Sequence, residues 1–163
     1  MSTTAEPKEM TMFEWQAWAT ENAADTLAFW IEKTEDDKVD WVPCMEGSTN
    51  TRCALQLGSE CINVNKMMAS MFRGETPPVR EEKEYTDKAE CIAALKASGK
   101  ELADAIRGMS AADVDKAYET PFGPMPGRML LQIGLGNMQY HGGQINMIQL
   151  LYGDSKFHIP GRE

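Results

Sequence analysis

The segment from Leu130 to Leu151 constrains the fold most. Its residues Leu130, Ile133, Asn137, His141, Gln144, Ile148 and Leu151 follow one another at steps of three or four. Only an α-helix aims such a set to one side; a strand would divide it between two faces. The stripe is apolar at both ends and polar in the middle, where the chain reads Asn137-Met-Gln-Tyr-His141-Gly-Gly-Gln144-Ile145. An unpaired buried amide or imidazole costs about 1 to 3 kcal/mol, so a facing element must supply partners.

Three further segments carry the same period. From Thr11 to Lys33, one face gathers Phe13, Ala17, Ala24, Leu27 and Ile31, while Trp15, Trp18 and Phe29 form a second apolar group. That group is either covered by loops or a face for a homodimer. Pro43 and Gly47 interrupt the chain, and Ser48 or Thr49 offers an N-cap for a helix reaching Phe72. Its stripe is Cys53, Leu57, Glu60, Val64, Met67 and Met71. Glu60 is the odd member, mid-stripe as His141 is on the last helix.

Pro77-Pro78 lies in a charged linker from Arg73 to Tyr85. Thr86 then caps a third helix to Arg107, with Ile92, Leu95, Gly99, Leu102 and Ile106 on its face and Gly108 as its stop. Ser110 to Asp113 reads as one short capped turn, and the proline- and glycine-rich stretch Tyr118 to Gly127 as loop. The fourth helix runs from Arg128 to Tyr152 and ends at Gly153. Its four internal glycines, Gly134, Gly136, Gly142 and Gly143, each cost about 1 kcal/mol relative to alanine. Tight packing accounts for most of them, with close backbone approach or room beside His141 as the other reason.

No stretch alternates with period two, so strands are not expected. Helices with one apolar face each bury those faces against one another. The expected fold is all-α: a four-helix up-down bundle with longer connections between helices 1-2, 2-3 and 3-4. At 163 residues and 42% hydrophobic content the chain makes one domain over 1–163, with a flexible N-terminus over 1–10 and a tail over 154–163. The tail contains the second histidine, His158, which has no assigned role.

A net charge of -9 excludes nucleic acid and an anionic membrane surface as partners. With no apolar run of 18 residues and no apolar leader, the expected location is the cytoplasm. Cys44, Cys53, Cys61 and Cys91 form no Cys-x-x-Cys pair and read as single buried thiols. Twelve methionines, with Met67, Met68 and Met71 near Glu60, serve as core filler or as the wall of an adaptable pocket.

His141-Gly-Gly-Gln144-Ile145, followed by a helix ending at Leu151-Tyr-Gly153, resembles the fourth helix of the DinB-like superfamily, where a His-x-x-x-His-x-Gly-Gln pattern closes the bundle. Asp37 to Pro43, then Ala54 to Glu60, is similar to the stretch leading to that family's helix-two histidine. The resemblance implies a bundle holding a divalent metal by three histidines, one on the second helix and two on the fourth. It also implies, for some members, thiol transfer or isomerisation with bacillithiol, mycothiol or glutathione. Carried over by position, His141 matches the second histidine of the fourth helix; Asn137 stands in place of the first, and Glu60 in place of the helix-two histidine. The implied ligand set is therefore Glu60, Asn137 and His141, with Gln144, Met67 and Tyr140 beside it.

An amide oxygen is a poor ligand for zinc or nickel, and a catalytic zinc takes three good ones. Two expectations follow. The first is a polar cluster at the family's metal position with metal binding weakened or lost, in a protein that binds a small molecule or a second copy of itself. There, Glu60 faces a protonated His141. The alternative is a metal-dependent thiol transferase or hydrolase acting on a small electrophile, with zinc, nickel or manganese held weakly among waters.

Overall fold

In the computed structural model, which describes residues 9–43, 50–75, 83–120 and 122–162, four long helices make the bundle. They are α1 (Met12–Lys33), α2 (Ala54–Phe72), α3 (Lys88–Arg107) and α5 (Gly127–Tyr152). A one-turn 3-10 helix (Asp36–Lys38) follows α1, and a short α4 (Ala111–Asp115) precedes the last long helix.

The helices α1 to α4 begin where side chains satisfy free N–H groups, while α5 begins after Pro126 with no side-chain cap. Thr11 and Glu14 close a box at α1, with Thr11 N donating to Glu14 Oε2 at 2.8 Å and Glu14 N to Thr11 Oγ1 at 3.2 Å. At α3 the cap is Asp87, not Thr86: Asp87 Oδ1 accepts from Glu90 N at 2.7 Å. A carboxylate in that place also meets the positive end of the helix dipole, which a hydroxyl cannot do as well. The structure starts α2 at Ala54, with Gln56 Oε1 accepting from Cys53 N at 3.1 Å. Ser48 and Thr49, and also Cys44, Pro77 and Pro78, lie outside the described residues. Ser110 and Asp113 pair as expected, Asp113 Oδ2 accepting from Ser110 N at 2.8 Å. Gly153, at φ 105°, takes the left-handed conformation that ends α5.

Within the stretch expected to be loop, two short strands pair antiparallel: β1 (Ala117–Tyr118) and β2 (Met125–Pro126), with Ala117 opposite Pro126 and Tyr118 opposite Met125. A two-residue ladder is too short to leave a period in the sequence.

Contacts between named residues give the directions of the helices. Gly99 of α3 lies against Ala24 of α1, while Arg107 reaches back to Glu21, so α1 and α3 are antiparallel. Gly58 meets Cys91, Asn65 meets Ser98, and Arg73 meets Glu101, so α2 and α3 run parallel. The long 2-3 connection returns the chain to the end where α2 began, and Tyr85 N is tied there to Ser59 Oγ at 2.9 Å. The bundle is thus up-down-down-up, with one crossover where simple alternation would reverse the chain.

Two apolar clusters fill the interior. Leu27, Ile31, Leu57, Ile62, Leu95 and Ile145 belong to one; Ala17, Met68, Leu102, Ile106 and Leu130 belong to the other. Fully buried Asn65 donates to Ser98 Oγ and to Met138 Sδ, each at 3.4 Å. Neither this asparagine nor the buried Gln16 and Gln149 stands out in the apolar stripes. Gln16 donates to Leu131 O at 2.8 Å, and Gln149 to Trp30 O at 3.0 Å, fastening α1 to α5 near both ends.

The buried face of α5 is turned from the expected stripe. Gly134, Leu135, Met138, Gly142 and Ile145 face inward, Ile133, Asn137 and Gln144 are half-buried, and Leu151 is exposed. Apolar residues lie on nearly every side of this helix, so periodicity alone cannot choose its face. Two glycines choose it. A Cβ on Gly134 would come within 2.4 Å of Leu102 and one on Gly142 within 2.3 Å of the Trp30 ring, so neighbouring helices seat there. Gly136 and Gly143 have open space instead, so intramolecular packing does not explain them. The second aromatic group of α1 is also divided: Phe29 is buried, Trp18 half-buried and Trp15 exposed.

Candidate functional site at the α2–α5 groove

The stripe of α2 turns in the same way. Gly58, Cys61, Ile62, Asn65 and Met68 are buried, leaving Glu60, Val64 and Met67 half-buried at the rim. Glu60 and Asn137 therefore lie at the edge of the α2–α5 groove and not deep in the core. His141 is the buried member, 5% exposed.

Across this groove His141 Nε2 approaches Glu60 Oε1 at 3.3 Å. On its other side, His141 Nδ1 is 2.6 Å from Gln144 Oε1. Gln144 Nε2 lies 3.2 Å from the Tyr140 hydroxyl, so Gln144 bridges the imidazole and the phenol. The Tyr140 ring, itself mostly exposed, stands edge-on to the imidazole with centroids 5.1 Å apart. Asn137, one turn earlier on α5, has its Oδ1 buried without a hydrogen-bond partner. Met67 does not join this group; two turns beyond Glu60, it packs against the other apolar cluster.

Glu60 has a second partner that sequence reasoning missed. Arg52, just before α2, pairs through Nη1 with Glu60 Oε2. Glu60 lies seven positions beyond the Cys53 cap, a rise of about 10 Å along the helix, which the arginine and glutamate side chains span together. A base beside a helix N-terminus opposes the dipole, and that mismatch is the signal that it serves a carboxylate elsewhere.

Burial lowers the His141 pKa from its ordinary value of 6.5; the hydrogen bond to Gln144 opposes this, and the Arg52 charge adds to it. The carboxylate that would favour an imidazolium is already neutralised by the guanidinium. The lowered pKa works against the expected protonated His141, and Glu60 has Arg52 as a partner besides the imidazole.

These residues do not fit a three-histidine metal centre. The position brings together one imidazole and one carboxylate, with a guanidinium on that carboxylate. Among the described residues no three His, Cys, Asp or Glu side chains assemble as a metal-binding group.

A depression of about 690 Å³ lies elsewhere, between the end of α1 and the C-terminal segment, bordered by Thr34, Asp36, Lys88, Asp154 and His158. Within it Lys88 pairs with Asp36 at 2.8 Å, and His158 Nε2 lies 2.7 Å from Asp154 Oδ2. The tail histidine is therefore folded back against the domain, and its carbonyl accepts from Trp30 Nε1 at 3.3 Å.

The family model of the DinB superfamily matches residues 19–145, and the chain belongs to that superfamily. The bundle is similar to the crystal structure of a DinB-like protein, YjoA, from Bacillus subtilis. The TM-score is 0.67 at 16% identity, over 91% of this chain and 97% of that one. At that identity the likeness is one of fold. No curated protein matches the sequence. No helix among the described residues is long and apolar enough to cross a membrane.

Proposed function

We propose that this chain is a DinB-superfamily protein whose site works without a tightly held transition metal, as a polar groove for a small ligand. One observation carries the reading: the groove joins a single imidazole, His141, to a single carboxylate, Glu60, at 3.3 Å. A structural or catalytic zinc takes three or four such groups. What the groove offers instead is lone pairs. The Asn137 Oδ1 lacks a hydrogen-bond partner and the Glu60 carboxylate stands across from His141, so a small molecule presenting N–H or O–H groups matches them. Gln144 and Tyr140 hold the imidazole in its orientation beside them.

Elemental analysis tests the reading. Protein purified without chelator, and again after challenge with zinc, nickel and manganese followed by desalting, is expected to retain far less than one metal per chain. Stoichiometric metal lost in Glu60→Ala and His141→Ala would overturn it in favour of the alternative, a metal-dependent thiol transferase or hydrolase.

The protein surface supports a second copy of the chain as partner. From Met129 to Tyr152 α5 carries no charged side chain, although the whole chain has a net charge of -9. Its exposed residues include Met129, Tyr140, Met147 and Leu150. Two copies meeting there avoid the like-charge repulsion that other acidic surfaces impose.

A further inference from the structure

We propose that the outer face of α5 is a self-complementary seam on which two copies of the chain pair antiparallel, with the two-fold axis at Tyr140, so that the paired Tyr140 rings join the two His141 sites. This rests on the second-copy reading of the α5 surface and adds its register and its consequence for the groove.

Opposite the buried face of α5, Met129, Ile133, Gly136, Tyr140, Gly143, Met147 and Leu150 follow one another at alternating steps of four and three. That is the seven-residue repeat of a helix-pairing seam, kept over three heptads. Yet the seam lies outside the bundle. Met129, Tyr140, Met147 and Leu150 are each more than half exposed, and a Cβ on Gly136 or Gly143 would meet nothing within 4 Å. Side-chain sizes along it read the same from either end: two large apolar residues, a glycine, Tyr140, a glycine, two large apolar residues. Reversed about Tyr140, Met129 meets the other copy's Leu150, Ile133 meets Met147, and Gly136 meets Gly143, the isologous pairing that a two-fold axis requires. The glycines on each side of Tyr140 leave notches that receive the other copy's ring.

Charge selects the antiparallel sense. No charged side chain stands between Met129 and Tyr152, and the seam is flanked by the neutral Gln132, Gln139 and Asn146 on one side and Asn137 and Gln144 on the other. Antiparallel pairing sets Arg128 beside the last turn of the other copy's α5, where the helix dipole favours a cation; parallel pairing would set the two Arg128 side chains together. The axis also reaches the site. The Tyr140 hydroxyl lies 3.2 Å from Gln144 Nε2, and Gln144 Oε1 lies 2.6 Å from His141 Nδ1, so fixing Tyr140 at the axis fixes the groups that orient the imidazole.

Single cysteines placed in a Cys44→Ser background test the register, the buried Cys53, Cys61 and Cys91 being retained. Under mild oxidation, read on non-reducing gels, Tyr140→Cys is expected to link to itself, and Met129→Cys to Leu150→Cys when the two are mixed. Neither of the last two should link alone, because antiparallel pairing holds like ends about 30 Å apart. Gly136→Leu/Gly143→Leu fills the notches without touching the core and is expected to weaken the dimer at least about tenfold by light scattering, with thermal melts establishing that it is folded. Dilution of wild type from dimer to monomer is expected to shift the His141 imidazole signals in proton NMR. Self-linkage of Met129→Cys and of Leu150→Cys, or a dimer indifferent to the two leucines, overturns the seam and leaves the second-copy reading standing. Unmoved imidazole signals overturn the link between axis and site. A monomeric wild type overturns the seam and the second-copy reading together.

Discussion

Gly142 of α5 lies so close to the Trp30 indole of α1 that a Cβ there would stand 2.3 Å from Cζ3 and 2.8 Å from Cε3. Neither atom is the end of a flexible chain; the ring is fixed at Nε1 by the His158 carbonyl. Gly142→Ala must therefore push α1 and α5 apart, next to His141, and is expected to cost about 1 to 3 kcal/mol. Gly136→Ala, in open space on the same helix, is expected to stabilise by about 0.5 to 1 kcal/mol through helix propensity. Urea melts of both variants check the contrast. A neutral Gly142→Ala would show that the helices are not held at this separation.

The cysteines give a chemical check of the packing. Cys61 and Cys91 are fully buried, and burial pushes both thiols up, Cys91 to about 12. Thiolate is the reacting form, so neither should be alkylated in the native protein at neutral pH. Mass spectrometry after iodoacetamide treatment is expected to find both unmodified until denaturant is added. Rapid native labelling of Cys91 would mean that α2 and α3 separate readily.

Four helices were legible because their apolar residues recur at steps of three and four, and because the breaks at Gly108 and Gly153 fall where capping needs them. The opposition of Glu60 and His141 was legible too, since Glu60 is the polar member of its stripe and His141 the middle one of three on the other. The rotation of α5 was not. That helix has apolar residues on nearly every side, and its inward face depends on how closely Leu102 and Trp30 approach Gly134 and Gly142. The role of Arg52 was equally hidden, because an ion pair formed across a helix start follows no period. The cap at Asp87 differs from Thr86 by one residue, a choice between two competent side chains.

The α5 surface predicts self-association. Light scattering behind size exclusion is expected to give a dimer at micromolar concentrations, and Leu150→Glu, which adds charge to an exposed apolar position, is expected to weaken it at least about tenfold. A monomeric wild type would remove this partner from consideration, while a dimer indifferent to Leu150→Glu would move the interface to another face.

His141 couples the site to pH. Its imidazole is held neutral by burial, with the Arg52 charge acting in the same direction, while Glu60 and the Tyr140–Gln144 pair are the other polar groups around it. A histidine whose folded pKa lies below its unfolded 6.5 binds protons more readily when unfolded. Its stabilising contribution is therefore complete above pH 6.5 and is lost as pH falls through the folded value. Urea melts across this window should show stability falling with acid, and His141→Ala should flatten that part of the profile. The same variant should cost only about 1 to 3 kcal/mol above pH 6.5, because Glu60 keeps Arg52 as its partner. The Gln144 hydrogen bond opposes the lowering, so Gln144→Ala should move the His141 titration to still lower pH. Proton NMR of the imidazole, with His158→Ala used to assign the two histidines, measures this directly. A titration at or above 6.5 in wild type would show that Glu60, not Arg52 and burial, governs the ring.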